Sequence, residues 1–307
     1  MFYLFVCAWI FARDKMFLYA LCLASALLCL SACSPKHLII QGIANELASQ
    51  GQVPEDDLVL AREASAFYLK LSESLLLAVP ENTKLSESVA TGFTQYAYAF
   101  VSFEAERIEG KDAKAAQVLR ERAAKLYLRA HRHAMAALEL VYPGFRKALE
   151  RPQPSEWPQL KQQHIGLAYW AAASWGGFIS LSTDSPDTVA DLPLAVRLAQ
   201  LAYAKDPHYG NGSLAGLMGT FEAARGGGSD AQALLYFDQA IALGAKRSAS
   251  PLVAKAESVS LPNGNRVEFE SLLRQALAVG KAYPDMQNAV MRERAQWLLG
   301  NADDLFQ

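Results

Sequence analysis

The sequence predicts an all-α fold, a superhelical array of antiparallel helix hairpins, and three observations carry that prediction. After residue 40 no run of useful length alternates apolar and polar residues, whereas apolar residues recur at helical spacing in nearly every segment. Turn residues punctuate those segments at Pro80-Glu81-Asn82, Glu109-Gly110-Lys111, Tyr142-Pro143-Gly144, Asp206-Pro207, Gly226-Gly227-Gly228 and Pro262-Asn263-Gly264. Small residues recur where paired helices would cross, which lets their backbones approach closely.

The first element is not part of that array. Residues 16–32, MFLYALCLASALLCLSA, form an apolar run short for a membrane span and ending in small residues, as a signal peptide does. The run closes on Leu30-Ser31-Ala32-Cys33, which resembles a lipobox. Residues 1–32 are therefore expected to be a lipoprotein signal peptide, and Cys33 the point of lipid attachment to a bacterial membrane. Several acyl chains, each methylene contributing roughly 0.8 kcal/mol on burial, hold a protein on a bilayer without a spanning helix. Residues 33–55 read as the lipidated stem and first helix, 56–300 as the helical domain and 301–307 as a C-terminal tail.

Apolar periodicity places helices over 37–50, 57–78, 84–108, 112–140, 159–181, 191–204, 211–225, 230–243, 249–258, 266–280 and 286–299. Short turns between such helices make antiparallel neighbours. The stretch 153–160, QPSEWPQL, holds two prolines and reads as the longest irregular connection. Helix B of the tetratricopeptide pattern, Ala-x3-aromatic-x2-Ala-x4-Pro, fits Ala233, Phe237 and Ala240, with Ala245 where proline would stand. It fits Ala195, Ala199, Ala202 and Pro207 with an alanine replacing the aromatic. About four degenerate repeats of this kind plus flanking helices are expected.

Composition excludes several functions. A formal charge of -2 without a long basic run gives nucleic-acid binding little electrostatic support. All four cysteines lie at or before Cys33, so the domain is left without disulfides or thiolate metal sites. The five histidines lack metal-ligand spacing, and His131 and His133 diverge on their helix. Gly226-Gly227-Gly228 is followed by Ser229-Asp230 rather than Lys-Ser/Thr, so it reads as a helix stop and N-cap, not a phosphate loop. Glu104 and Glu106 point apart and read as solvated. No enzyme, cofactor or metal site is expected.

Aromatic residues are the candidates for binding. Phe93, Tyr96, Phe100 and Phe103 share one helical face, whose simplest use is hairpin core. Tyr96, Phe100, Tyr169, Trp170 and Trp175 are the candidates for a channel or partner-binding wall, because tyrosine and tryptophan combine apolar rings with polar tips.

In their order along the chain, Leu69-Lys70-Leu71, Tyr96-Ala97-Tyr98-Ala99-Phe100, Arg129-Ala130-His131, Tyr169-Trp170, Trp175-Gly176, Tyr236-Phe237 and Asp303-Asp304-Leu305-Phe306 resemble the T component of tripartite ATP-independent periplasmic (TRAP) transporters, lipoproteins with tetratricopeptide-like repeats. The resemblance covers nearly the whole mature chain. It implies a lipid-anchored periplasmic adapter beside a substrate-binding protein, a homotrimer, and a hydrophobic channel for a small-molecule ligand in each subunit. Ser34, in place of the aspartate that marks inner-membrane retention in many lipoproteins, leans toward the outer membrane. The alternative expectation is a general envelope scaffold or assembly lipoprotein of tetratricopeptide type without a ligand channel.

Overall fold

The computed structural model describes residues 35–50 and 55–307. The expected signal peptide, Cys33 and Ser34 lie outside the described residues. The fold is all-α, with no strand among the described residues. The chain divides into a small N-terminal unit ending at Ile43 and a helical body from Ala44 to Gln307. Among the described residues no helix is long and apolar enough to cross a membrane.

Helix α1 (Pro35–Gln50) spans the division, and the body continues with α2 (Leu58–Ala78), α3 (Thr83–Tyr96), α4 (Phe103–Ile108) and α5 (Ala113–Val141). There follow α6 (Phe145–Leu149), α7 (Ile165–Ser180), α8 (Pro186–Val189), α9 (Leu192–Lys205), α10 (Ser213–Ala224) and α11 (Asp230–Leu243). The last are α12 (Ser250–Lys255), α13 (Arg266–Ala282), α14 (Met286–Gly300) and α15 (Ala302–Leu305). Neighbours in this order pack together: α3 on α5, α5 on α7, α7 on α9, α10 on α11 and α13 on α14.

Side-chain caps set the starts of six of these helices. Asp57, Asn82, Asp112, Ser229, Asn265 and Asp285 each accept a hydrogen bond from a backbone N–H of the first turn. Each cap is worth about 1 kcal/mol and satisfies a donor that the helix cannot.

Two departures from the expected helices have local causes. The helix expected from residue 159 starts only at Ile165, because the segment before it is held by other contacts: Trp157 donates its indole N–H to the Arg151 carbonyl at 2.9 Å and lies under the Arg197 guanidinium. The stretch after Pro143 contains α6, whose Phe145 and Leu149 are fully buried. Arg197 Nη1 donates to the free carbonyls of Leu149 and Glu150 at 3.0 Å each and so caps that short helix. The closing residues form α15, and Phe306 packs edge-on against the buried Phe269.

Small residues let the helices touch. Ala195, Ala199, Ala202, Ala233 and Ala240 are completely buried, as is Phe237. At Gly212, with φ +99°, an added Cβ would lie 2.4 Å from the Ala240 carbonyl oxygen. Ala245, where the repeat pattern has proline, takes φ +46°, a conformation closed to a proline ring.

Polar anchors tie the array together. Asn288 accepts from the Ala249 N–H at 2.9 Å and donates to the carbonyls of Arg247 and Tyr283, joining the ends of α12, α13 and α14. Glu73 on α2 is buried and holds Arg129 through both oxygens, His133 at 2.8 Å and Lys70 at 2.6 Å. Arg129 in turn covers the Phe93 ring. Burial by itself would raise the Glu73 carboxyl, but the hydrogen bonds from Arg129, Lys70 and His133 outweigh it and bring it down to about 2.

Two consequences can be measured. Gly212→Ala should destabilise the body by more than about 2 kcal/mol in urea titrations, since both the positive φ and the carbonyl contact oppose a side chain. The lowered Glu73 carboxyl adds stability that is complete above its unfolded value near 4.5 and is lost as pH falls from there toward 2. Comparing wild type with Glu73→Gln, the gap should be about 2 kcal/mol at pH 7 and should close progressively below pH 4.5.

Candidate functional site

Three helices of the body each carry a stripe of partly accessible residues at helical spacing. On α3 and the turn after it the stripe is Glu87, Thr91, Gln95 and Tyr98; on α7 it is Tyr169, Ala173 and Gly177; on α10 it is Ser213, Leu217 and Thr220. Residues three and four apart share a helix face, so each stripe is continuous. Glycine lets the helices close up: the Glu87 carboxylate packs where a Gly166 side chain would stand, Gly176 faces the Phe221 ring and Gly177 the Tyr127 ring. We read these stripes together as one furrow, whose α3 wall, from Glu87 to Tyr98, runs about 16 Å at 1.5 Å per residue.

One end of the furrow is aromatic and acidic. Tyr209, on the turn preceding α10, donates to Glu87 Oε1 at 3.3 Å. The Tyr169 ring lies 4.8 Å from Trp170 and 5.4 Å from Tyr209, and its hydroxyl lies beside Ser213. Burial raises the Glu87 carboxyl, only partly opposed by the Tyr209 hydrogen bond, and pushes Tyr169 up to about 12. Ser213 also lines a solvent-open groove of about 510 Å³ together with Asn211, Arg247, Tyr283 and Gln287. Left-handed backbone at Gly210, Asn211, Gly212, Ala245 and Lys246 shapes this mouth.

The other end is ionic. Arg294 of α14, 7% exposed, pairs with Glu257 at 2.5 Å and Glu106 at 2.6 Å and lies against the rings of Phe103 and Trp297. Burial opposes the guanidinium charge, but Glu257, Tyr98 and Glu106 outweigh it and raise Arg294. Tyr98 and Glu257 both stand on π-helical turns, Ala97–Ser102 and Ala256–Ser260. The extra residue in each such turn re-aims the side chains that follow.

The sequence-derived candidates fall into two groups. Tyr169 and Trp170 form the aromatic end of the furrow. Tyr96 and Phe100 are buried against each other, rings 5.5 Å apart and inclined by 63°. Trp175 is buried against His131, whose ring is 4.4 Å away and whose Nδ1 meets the Ala171 carbonyl oxygen at 3.0 Å; burial brings His131 down to about 4. Glu106, expected to be solvated, is instead paired with Arg294. Glu87, Tyr209, Glu257 and Arg294 are not among the sequence-derived site candidates. Nothing in their local sequence marks them, because the hydrogen bonds that pair them join residues at least 37 apart.

Comparison with known proteins decides the family: a family model described as the TRAP transporter T-component matches residues 54–306. The chain belongs to that family. A protein of Treponema pallidum (strain Nichols), named only as an uncharacterized protein, is 28% identical over 313 residues, covering 92% of this chain and 95% of its own. The matched span of the T-component includes both ends of the furrow. T-components are transport-associated rather than catalytic, and this one has a TRAP transporter role.

The Glu87 carboxyl yields a test of the site's electrostatics. Its raised folded value means that stability present below the unfolded value is lost as pH rises through the folded one. Glu87→Gln should therefore melt a few degrees above wild type at pH 7, the size of shift that about 1 kcal/mol produces in a domain this large. The two melting curves should converge near pH 4, as followed by circular dichroism.

Proposed function

We propose that this T-component is a lipid-anchored periplasmic adapter that binds the substrate-binding protein of its transporter and passes a small hydrophobic ligand along the furrow. The observation that carries the reading is the family match across 54–306. The furrow supports it: apolar surface from Tyr169, Ala173 and Leu217 runs between polar ends, as ligand sites in helical proteins commonly do. Cys33 supplies the anchor in this reading, with Ser34 favouring the outer membrane, and the working assembly is a homotrimer. A helical array suits such a role because each hairpin rests on its neighbours and holds a long concave surface rigid.

The test is association. The full chain in lipid nanodiscs, mixed with the substrate-binding protein of the same transporter, should sediment as one complex at micromolar concentration. Separate boundaries throughout that range would refute the adapter role. Native mass spectra of the purified chain distinguish the general envelope scaffold: a retained apolar small molecule supports the passage, and an empty chain after gentle extraction favours the scaffold.

A further inference from the structure

One acidic side chain in the furrow has no counter-charge. The Glu87 carboxylate rests on Gly166 so closely that a Cβ there would fall 1.9 Å from Oε1. Among the described residues no lysine, arginine or histidine reaches ion-pair distance of it, and its one side-chain hydrogen bond is the 3.3 Å contact from Tyr209. Other enclosed carboxylates are compensated: Glu73 by Arg129, Glu257 by Arg294 and Glu222 by Arg225. An anion taken from water without a partner is destabilised until a cation or a proton joins it.

The surroundings select the kind of cation. Tyr169, Trp170 and Tyr209 present rings inclined by 71° and 51° to one another, so their faces form a corner rather than a stack. Aromatic faces attract organic cations within about 6 Å of the ring centre. A hard metal ion would instead need about six oxygen ligands, which these rings do not supply. Ser213, a wall residue of the open groove, lies beside Tyr169, so the corner adjoins that groove.

We propose that this corner binds the alkylammonium head of a small organic ligand, with Glu87 as its counter-ion and Tyr169, Trp170 and Tyr209 as its walls. The assignment rests on reading the furrow as a ligand passage and deepens it by naming the head group.

Isothermal calorimetry on the full chain in phosphatidylcholine nanodiscs tests it, using hexyltrimethylammonium, hexanol and hexanoate as probes and empty nanodiscs as the blank. Hexyltrimethylammonium should bind at least tenfold more tightly than hexanol, and hexanoate more weakly than either. Glu87→Gln keeps the side-chain shape and an acceptor for Tyr209, and should erase the tenfold preference without weakening hexanol. If hexanol binds but the ammonium is not preferred, or the preference survives Glu87→Gln, the head-group assignment is wrong and the passage stands. If no probe binds, both fail. Should the variant not fold, the ranking of the three probes on wild type decides the matter alone.

Discussion

Close approach of helix backbones is the constraint on which the rest of this structure depends. Ala195, Ala199, Ala202, Ala233 and Ala240 have no exposed surface, and Gly212 lies against the backbone of α11. Helices packed at such short range gain dispersion contacts along their whole length, but they leave no slack for an added methyl. Larger side chains are confined to the spaces between the crossings, where Phe145, Phe237 and Phe269 are completely enclosed. Where glycine lines the furrow, at Gly166, Gly176 and Gly177, neighbouring side chains fold directly onto the helix backbone. The furrow's width is thus a product of the same small-residue packing that holds the array together.

Burying charge in such an array is costly, and the chain handles that cost in two different ways. Glu73 and Arg294 are enclosed but matched, each held by groups from distant helices through short hydrogen bonds and stacked rings. Breaking either set leaves an uncompensated charge, so each fixes which helices meet. Glu87 has no such match, and Tyr209 offers it one long hydrogen bond. Structural pairs are satisfied from within, whereas an enclosed carboxylate without a counter-charge offers a place where a cation can bind.

The two π-helical turns belong to this division of labour. Each interrupts a helix at the ionic end and presents Tyr98 or Glu257 toward Arg294. A regular α-helix would carry those side chains roughly 100° further round. The aromatic end is shaped instead by left-handed backbone around Gly210 and Ala245. A T-component built in this way keeps a rigid scaffold and concentrates local irregularity at the two ends of its furrow.

The helical class, most helix limits and the small-residue crossings were legible in the sequence, because periodicity, capping side chains and turn residues act over a few neighbours. Tyr169 and Trp170 stood out for a similar local reason, an adjacent pair of large amphipathic rings on a predicted helix. The tertiary structure alone decided that Tyr96, Phe100 and Trp175 are buried while Glu87, Tyr209 and Arg294 face the furrow or close its end. Those outcomes turn on partners tens of residues away and on a residue's worth of extra winding at each π-helical turn. Interactions of that range leave no imprint on the spacing of apolar and polar residues, and only the packed chain reveals them.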